Sequence, residues 1–240
     1  MKRSIILSLA ITLLAAPASG FKQENLDKLK ATNACEMCDL RETYLREANL
    51  FRANLRKANL FRTYLREANL TGANLREANL SNADLTGAEL NFANLFRANL
   101  RKADLSDSDL REANLAGADL SDSDLRKANL SNADLDKAQL AFADLREANL
   151  FRTYLREANL RDSDLRKADL RKADLSDSDL AGADLRKADL RKTDLTGAEL
   201  NFADLRDSDL RDSDLRKTDL TGTAFCNTMM PDGSVNNADC

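Results

Sequence analysis

The 240-residue chain has no histidine and no tryptophan, only two prolines and eight glycines, and no long apolar run beyond its first twenty residues. Each absence narrows the range of functions. Without histidine, the commonest general base and metal ligand is missing. The few glycines form no phosphate-cradling loop, no nucleophile elbow is present, and no zinc-ligand spacing occurs. Carboxylates are plentiful, with 40 Asp and Glu against 36 Lys and Arg. Catalysis by paired carboxylates needs one of them desolvated or otherwise shifted, and nothing in the pattern sets one pair apart. The chain therefore reads as a non-enzyme with no catalytic, cofactor-binding or metal-ligating set. Nothing after residue 20 is apolar for the roughly 20 residues that a membrane span requires.

What the chain does have is a five-residue repeat. A leucine stands at every fifth position from Leu40 to Leu220, thirty-seven in succession. A small residue precedes each by two places, and usually Asp or Asn by one. On a straight helix, residues five apart are rotated by about 140°, which would scatter the leucines around the surface. On a continuous strand, odd spacing would send alternate leucines to opposite faces. The chain must therefore turn between one leucine and the next, as in a solenoid. Within a unit, Ala48 and Leu50 face inward as a short strand, Asn49 faces outward, and Phe51 and Arg52 form the corner. The small column is mostly Ala, with Ser, Thr or Cys38 elsewhere, because a larger side chain would collide with leucines across a narrow interior.

Units such as Ala48-Asn49-Leu50, Ala103-Asp104-Leu105 and Ala183-Asp184-Leu185 resemble those of the pentapeptide-repeat proteins. The resemblance covers about residues 35 to 240. It implies an all-β fold, a right-handed quadrilateral β-helix with four units per coil. Leu40 to Leu220 then spans nine coils, and at ~4.8 Å per coil the rod is roughly 43 Å long.

The ends differ from the rod. Residues 1–20 carry Lys2 and Arg3, an apolar run from Ile5 to Ala16, and the small residues Ala18-Ser19-Gly20, the layout of a secretory signal peptide. The chain is thus expected to be exported, with cleavage after Ala18 or Gly20 and no membrane insertion thereafter. Residues 21–34, with Leu26 and Leu29 among charged neighbours, suit a short helical cap over the N-terminal end of the core. Residues 35–225 form the β-helix, with Phe225 holding the leucine register a last time. Residues 226–240 form a C-terminal cap with a turn at Pro231-Asp232-Gly233, and this tail resembles one found in exported members of the family.

Four cysteines allow three pairings. A rod with Cys35 and Cys38 at one end and Cys226 and Cys240 at the other permits only pairs within each end, since bridged Cα atoms lie within about 7 Å. Cys226–Cys240 is expected to close the C-terminal cap in an oxidising compartment. Cys35 and Cys38 fall on inward positions that suit either a second disulfide or buried thiols. Their C-x-x-C spacing matches redox motifs, but those act at a helix N-terminus in another fold, so a structural plug is the expected role.

The resemblance also implies a functional alternative, because some family members are acidic rods that mimic DNA and regulate DNA gyrase. Stacking units twenty apart gives an acidic column through Asp84, Asp104, Asp124, Asp144, Asp164, Asp184 and Asp204. Beside it runs a basic column through Arg126, Arg146, Arg166, Arg186 and Arg206. Without Lys2 and Arg3, 34 basic residues face 40 acidic ones, and 34 − 40 leaves a net charge of −6. A polyanion mimic needs unneutralised charge along one face, so DNA mimicry stands as the alternative reading, and no nucleic acid is expected as a partner. A structural or protein-interaction scaffold is the leading reading. Its partner is an unidentified protein, and its own state is a monomer or an end-to-end or face-to-face homodimer. Ice binding is disfavoured because no face carries an outward threonine array.

Corner aromatics at Phe51, Phe61, Phe92, Phe96, Phe142, Phe151 and Phe202 offer one further surface, and Tyr44 stacks one coil below Tyr64. Tyr44, Phe51, Phe61 and Tyr64 form the candidate interaction patch. Larger tiles, however, recur on opposite sides: the string Leu60 to Leu70 returns at Leu150 to Leu160, eighteen units on. Such reuse points to a generic exterior, produced by recent repeat expansion or by design from a consensus.

Overall fold

Every unit is closed by the same tight turn. The Leu45 carbonyl accepts the Ala48 N–H at 3.0 Å, and Leu50 accepts Ala53 at 2.9 Å. The second corner residue lies in the left-handed region, with φ of 56° at Glu47 and 53° at Arg52, while the first corner residue does not. This is type II geometry, which requires positive φ at its third residue. Between turns the backbone is extended and bridges in parallel to the residue twenty places on, as in Asp39↔Asn59, Tyr44↔Tyr64, Asn49↔Asn69 and Asn54↔Asn74. Four units therefore complete one coil. The expected short strands shrink to one bridged residue per side, because each five-residue unit gives two residues to its corner.

A computed structural model supplies this description for residues 22–240. The predicted signal peptide, residues 1–20, lies outside the described residues.

Three backbone bonds per unit tie each coil to its neighbours. The Leu45 N–H donates to the Tyr64 carbonyl at 2.8 Å, the Glu47 N–H to Arg66 at 2.9 Å, and the Asn59 N–H back to Cys38 at 2.8 Å. The interior is lined by the leucine and small-residue columns, buried almost without exception from Leu40 to Leu210. Fully burying one leucine contributes on the order of 1.5–3 kcal/mol, so the ladder is the main favourable term. Most polar members of the small column find backbone acceptors, as burial demands, whereas the buried Ser213 Oγ has none. Ser108 Oγ donates to Leu105 O at 2.6 Å, and Thr63 Oγ1 donates to Leu40 O one coil away at 2.9 Å.

The N-terminal end is covered by α1, Gln23–Thr32, which buries Leu26 and Leu29. Asn33, at φ 53°, ends the helix, and its side-chain amide donates to Phe51 O at 2.8 Å. At the other end Phe225 is 9% exposed in the leucine register. Strands β1, Thr228–Met229, and β2, Val235–Asn236, pair antiparallel around the Pro231-Asp232-Gly233 turn. Asp239 then returns to Phe225, accepting its N–H and donating to its carbonyl. Both cap disulfides are formed, with Cα separations of 5.3 Å for Cys35–Cys38 and 4.9 Å for Cys226–Cys240. Cys35 and Cys38 are thus a buried bonded pair, not thiols. Among the described residues no helix is long and apolar enough to cross a membrane.

Candidate interaction surface

The outward Asp or Asn of each unit has a structural task that the sequence analysis missed. The three inter-coil bonds and the turn bond leave one amide per unit, that of the first corner residue, without a backbone acceptor. The Asx side chain supplies it. Asn49 Oδ1 accepts the Phe51 N–H at 3.1 Å, Asn114 Oδ1 that of Ala116 at 3.1 Å, and Asp174 Oδ1 that of Ser176 at 3.1 Å. This is the Asx-turn, in which a short side chain replaces a backbone acceptor two residues away. Where Tyr154 interrupts the column, Asp136 from the preceding coil caps the Arg156 N–H at 3.0 Å instead. The signal was visible in the sequence: Asn and Asp exchange freely there, so what the position needs is Oδ1, not charge.

An arginine in the first corner position adds a second layer. Asp184 Oδ1 accepts the Arg186 backbone N–H, and its carboxylate takes the same guanidinium at 2.9 and 2.6 Å. Arg186 Nε also lies 3.5 Å from Asp204 in the next coil. The same two-carboxylate contact recurs at Arg126, Arg146 and Arg166, and on the neighbouring side at Arg171 and Arg191. Two continuous ladders of alternating charge result. The Arg206 and Arg211 side chains hold Asp204 and Asp209 below the usual carboxylate range, as Arg111 does Asp109. Burial pushes Asp124, Asp169 and Asp184 up, but bonding to Arg126, Arg171 and Arg186 outweighs it and keeps them low. From Asp124 to Asp204 the acidic column is accordingly neutralised rung by rung, while Asp84 and Asp104 cap Thr86 and Ser106 instead.

The candidate patch is divided by the four-sided coil. Tyr44 and Tyr64 stack with centroids 4.6 Å apart and an interplanar angle of 7°, and both remain largely exposed. Phe61 sits at the corner leading into the Tyr64 side, under the Arg62 guanidinium. Phe51 is ten residues, or two sides, from Phe61 and occupies the opposite corner, where Arg52 covers it. Phe96 lies between Arg76 and Arg97, and Phe151 among Arg152, Arg171 and Lys172. Phe61, Phe96 and Phe151, each in cation–π contact, are half-buried, whereas Phe51, despite Arg52, and Phe92, Phe142 and Phe202 stay exposed. Cys226 and Cys240 belong to the C-terminal cap. Among the described residues no group of three His, Cys, Asp or Glu is arranged to hold a metal ion.

A family model described as pentapeptide repeats matches in eight copies, over segments running from residue 36 to residue 230. Among solved structures, the chain is similar to HetL, a pentapeptide repeat protein involved in heterocyst differentiation regulation from the cyanobacterium Nostoc. Identity is 34%, coverage is 91% of this chain and 100% of that one, and the TM-score is 0.58. A pentapeptide repeat protein of the Arabidopsis thaliana thylakoid lumen is 32% identical over 42% of this chain and 71% of its own, with TM-score 0.41. QnrB1, a plasmid-mediated fluoroquinolone resistance protein, is 20% identical over 78% and 90%, with TM-score 0.44. No curated protein sequence gives a significant match.

Proposed function

This chain belongs to the pentapeptide-repeat family, and from that premise we propose that it is an exported, right-handed β-helix of nine coils that works without catalysis, as a docking surface in a regulatory protein assembly. HetL supports the regulatory part of this reading, being a regulator that aligns over nearly this whole chain. The observation that carries the scaffold part is how the polar groups are used. The outward Asx residues cap backbone amides and the arginines are tied to them, so the polar exterior is occupied in holding the rod together. Among the exposed rings, the surface proposed for a partner is the Tyr44–Tyr64 stack with Phe61 beside it, where two rings lie face to face. Rigid aromatic rings of this kind anchor protein interfaces at low entropic cost.

The test is capture of a partner from the exported fraction by the mature chain, compared with the Tyr44→Ala/Tyr64→Ala variant. Loss of capture with unchanged circular dichroism supports the reading, and equal capture by both overturns this surface. Export is checked by the N-terminus of the recovered protein, expected at Ser19 or Phe21. DNA mimicry finds little support in neutralised ladders; inhibition of gyrase supercoiling at micromolar protein would revive it.

A further inference from the structure

The Tyr44–Tyr64 stack stands at the start of a column that continues in aspartate from Asp84 to Asp204. Tyrosine has no side-chain acceptor that bends back to the amide two residues on, so Arg46 and Arg66 lose the cap that Asx supplies elsewhere. Among the described residues, every other arginine in a first corner position has its N–H accepted by a side-chain oxygen, from Arg41 to Arg216. The Arg46 and Arg66 amides have no acceptor in the chain, side-chain or backbone. Other uncapped amides at this corner position occur singly and on residues without positive charge, as at Asn91, Ala141 and Asn201.

Tyr154 shows what such an amide takes. Behind it, Arg156 donates its backbone N–H to Asp136 Oδ1 at 3.0 Å and its Nε–H to Asp136 Oδ2 at 2.9 Å. A carboxylate therefore reaches the corner past a tyrosine and is held by backbone and guanidinium together. At Arg66 the position equivalent to Asp136, one coil earlier, holds Arg46. Asp84, one coil later, is turned to Thr86, accepting its N–H at 3.1 Å and its hydroxyl at 2.7 Å. Neither neighbour offers Arg66 a carboxylate. The Arg46 and Arg66 guanidiniums contact only the adjoining Glu47 and Glu67, through Nε at 3.2 and 3.3 Å, and their side chains are 58% and 49% exposed.

We propose that Arg46 and Arg66 bind carboxylates brought by a partner, so that the tyrosine surface recognises an acidic peptide segment. The inference rests on the docking surface proposed above and names the chemistry of its occupant. An acidic side chain entering as Asp136 does at Arg156 takes the Arg66 N–H on one oxygen and a guanidinium on the other. Such charge-assisted bonds are roughly twice as strong as neutral ones, which selects Asp or Glu over Asn or Gln. The two amides lie on adjacent coils, since the Glu47 N–H donates to the Arg66 carbonyl at 2.9 Å, so neighbouring carboxylates of one segment can use both. The stacked rings and Phe61 give the apolar atoms of that segment a rigid contact. Asp84 and Asp104, occupied in capping Thr86 and Ser106 and touched by no cation among the described residues, follow in the same column. Like-charge repulsion from them favours a short acidic segment over a long polyanion.

Amide NMR of the oxidised chain, titrated with a tetra-aspartate peptide, a tetra-asparagine peptide and inorganic phosphate, tests the proposal. The Arg46 and Arg66 amide resonances are expected to move with tetra-aspartate, bound about tenfold more tightly than tetra-asparagine, while the capped amides of Arg126 and Arg146 stay in place. The Tyr44→Asn/Tyr64→Asn variant caps both amides from within and adds no charge, so it should keep its fold and lose the response. Unmoved Arg46 and Arg66 amides, an equal response to tetra-asparagine, or phosphate bound as tightly as tetra-aspartate overturns the assignment. The Tyr44→Ala/Tyr64→Ala variant, which leaves both amides open, separates this inference from the reading beneath it. Partner capture lost in that variant, with no response to tetra-aspartate in the unaltered chain, overturns the carboxylate site alone. Capture and the tetra-aspartate response both retained there overturn the ring surface and support the carboxylate site.

Discussion

Asn114 illustrates how one side chain serves the backbone. Its Oδ1 caps the Ala116 amide, and no charged group pairs with it. Asn114→Ala is expected to destabilise by about 1 kcal/mol, the usual effect of losing such a cap, whereas Asn114→Asp should change thermal stability little. Equal losses in the two variants would show that the cap contributes nothing. The second corner residue presents the reverse case. Lys187 sits at φ 62°, a region that costs a side chain roughly 1–2 kcal/mol. Lys187→Gly relieves that strain but frees the unfolded chain, for an expected net gain of about 0.5–1 kcal/mol, read from the urea midpoint. Gly222→Ala runs the other way, since its new Cβ would lie 2.7 Å from the Phe202 ring. These left-handed corners were not legible in advance. Gly or Asn marks such turns, but most corners here carry Lys, Glu, Arg or Asp, their local preference overridden by the inter-coil bonds.

At the scale of the element, the leucine column and the ion ladders make different contributions. Leu120→Ala leaves a void in a fully buried column and is expected to cost about 2–5 kcal/mol. Because each coil touches only its neighbours, the loss should appear as local fraying around coils near residue 120, visible by hydrogen exchange. The ladders contribute through pH. Asp109, Asp204 and Asp209 titrate below the ordinary carboxylate value because arginine holds them charged. Their stabilisation is fully present above the unfolded-state pKa of about 3.9 and is lost as pH falls through the lower folded values. The melting temperature should therefore be flat from about pH 5 to 8 and drop below about pH 4. An unchanged melting temperature at pH 3 would show that the ladders contribute little, as exposed pairs often do.

For the whole molecule, the caps decide where the rod ends. The Cys226–Cys240 bond closes a loop with a sequence separation of 14, and a loop of that order is worth about 3 kcal/mol in the chain-entropy account. Reduction should release the β1–β2 hairpin, expose the amides of Leu205 and Leu210 to exchange, and lower the melting temperature. Retained protection after reduction would show that packing of Phe225 alone secures the cap. The end cysteines were assigned in pairs because a rod keeps its ends apart. The aromatic patch was only half legible: Phe51 and Phe61 are close in sequence, but ten residues is half a coil, so the fold sends them to opposite corners.

The sequence alone determined the period and the inward columns, because a leucine buried at every fifth position fits neither a straight helix nor a continuous strand. Only the tertiary structure decided what the exterior is for. Whether an outward aspartate is free charge, an amide cap or a rung paired to arginine depends on what lies one coil away, twenty residues along the chain.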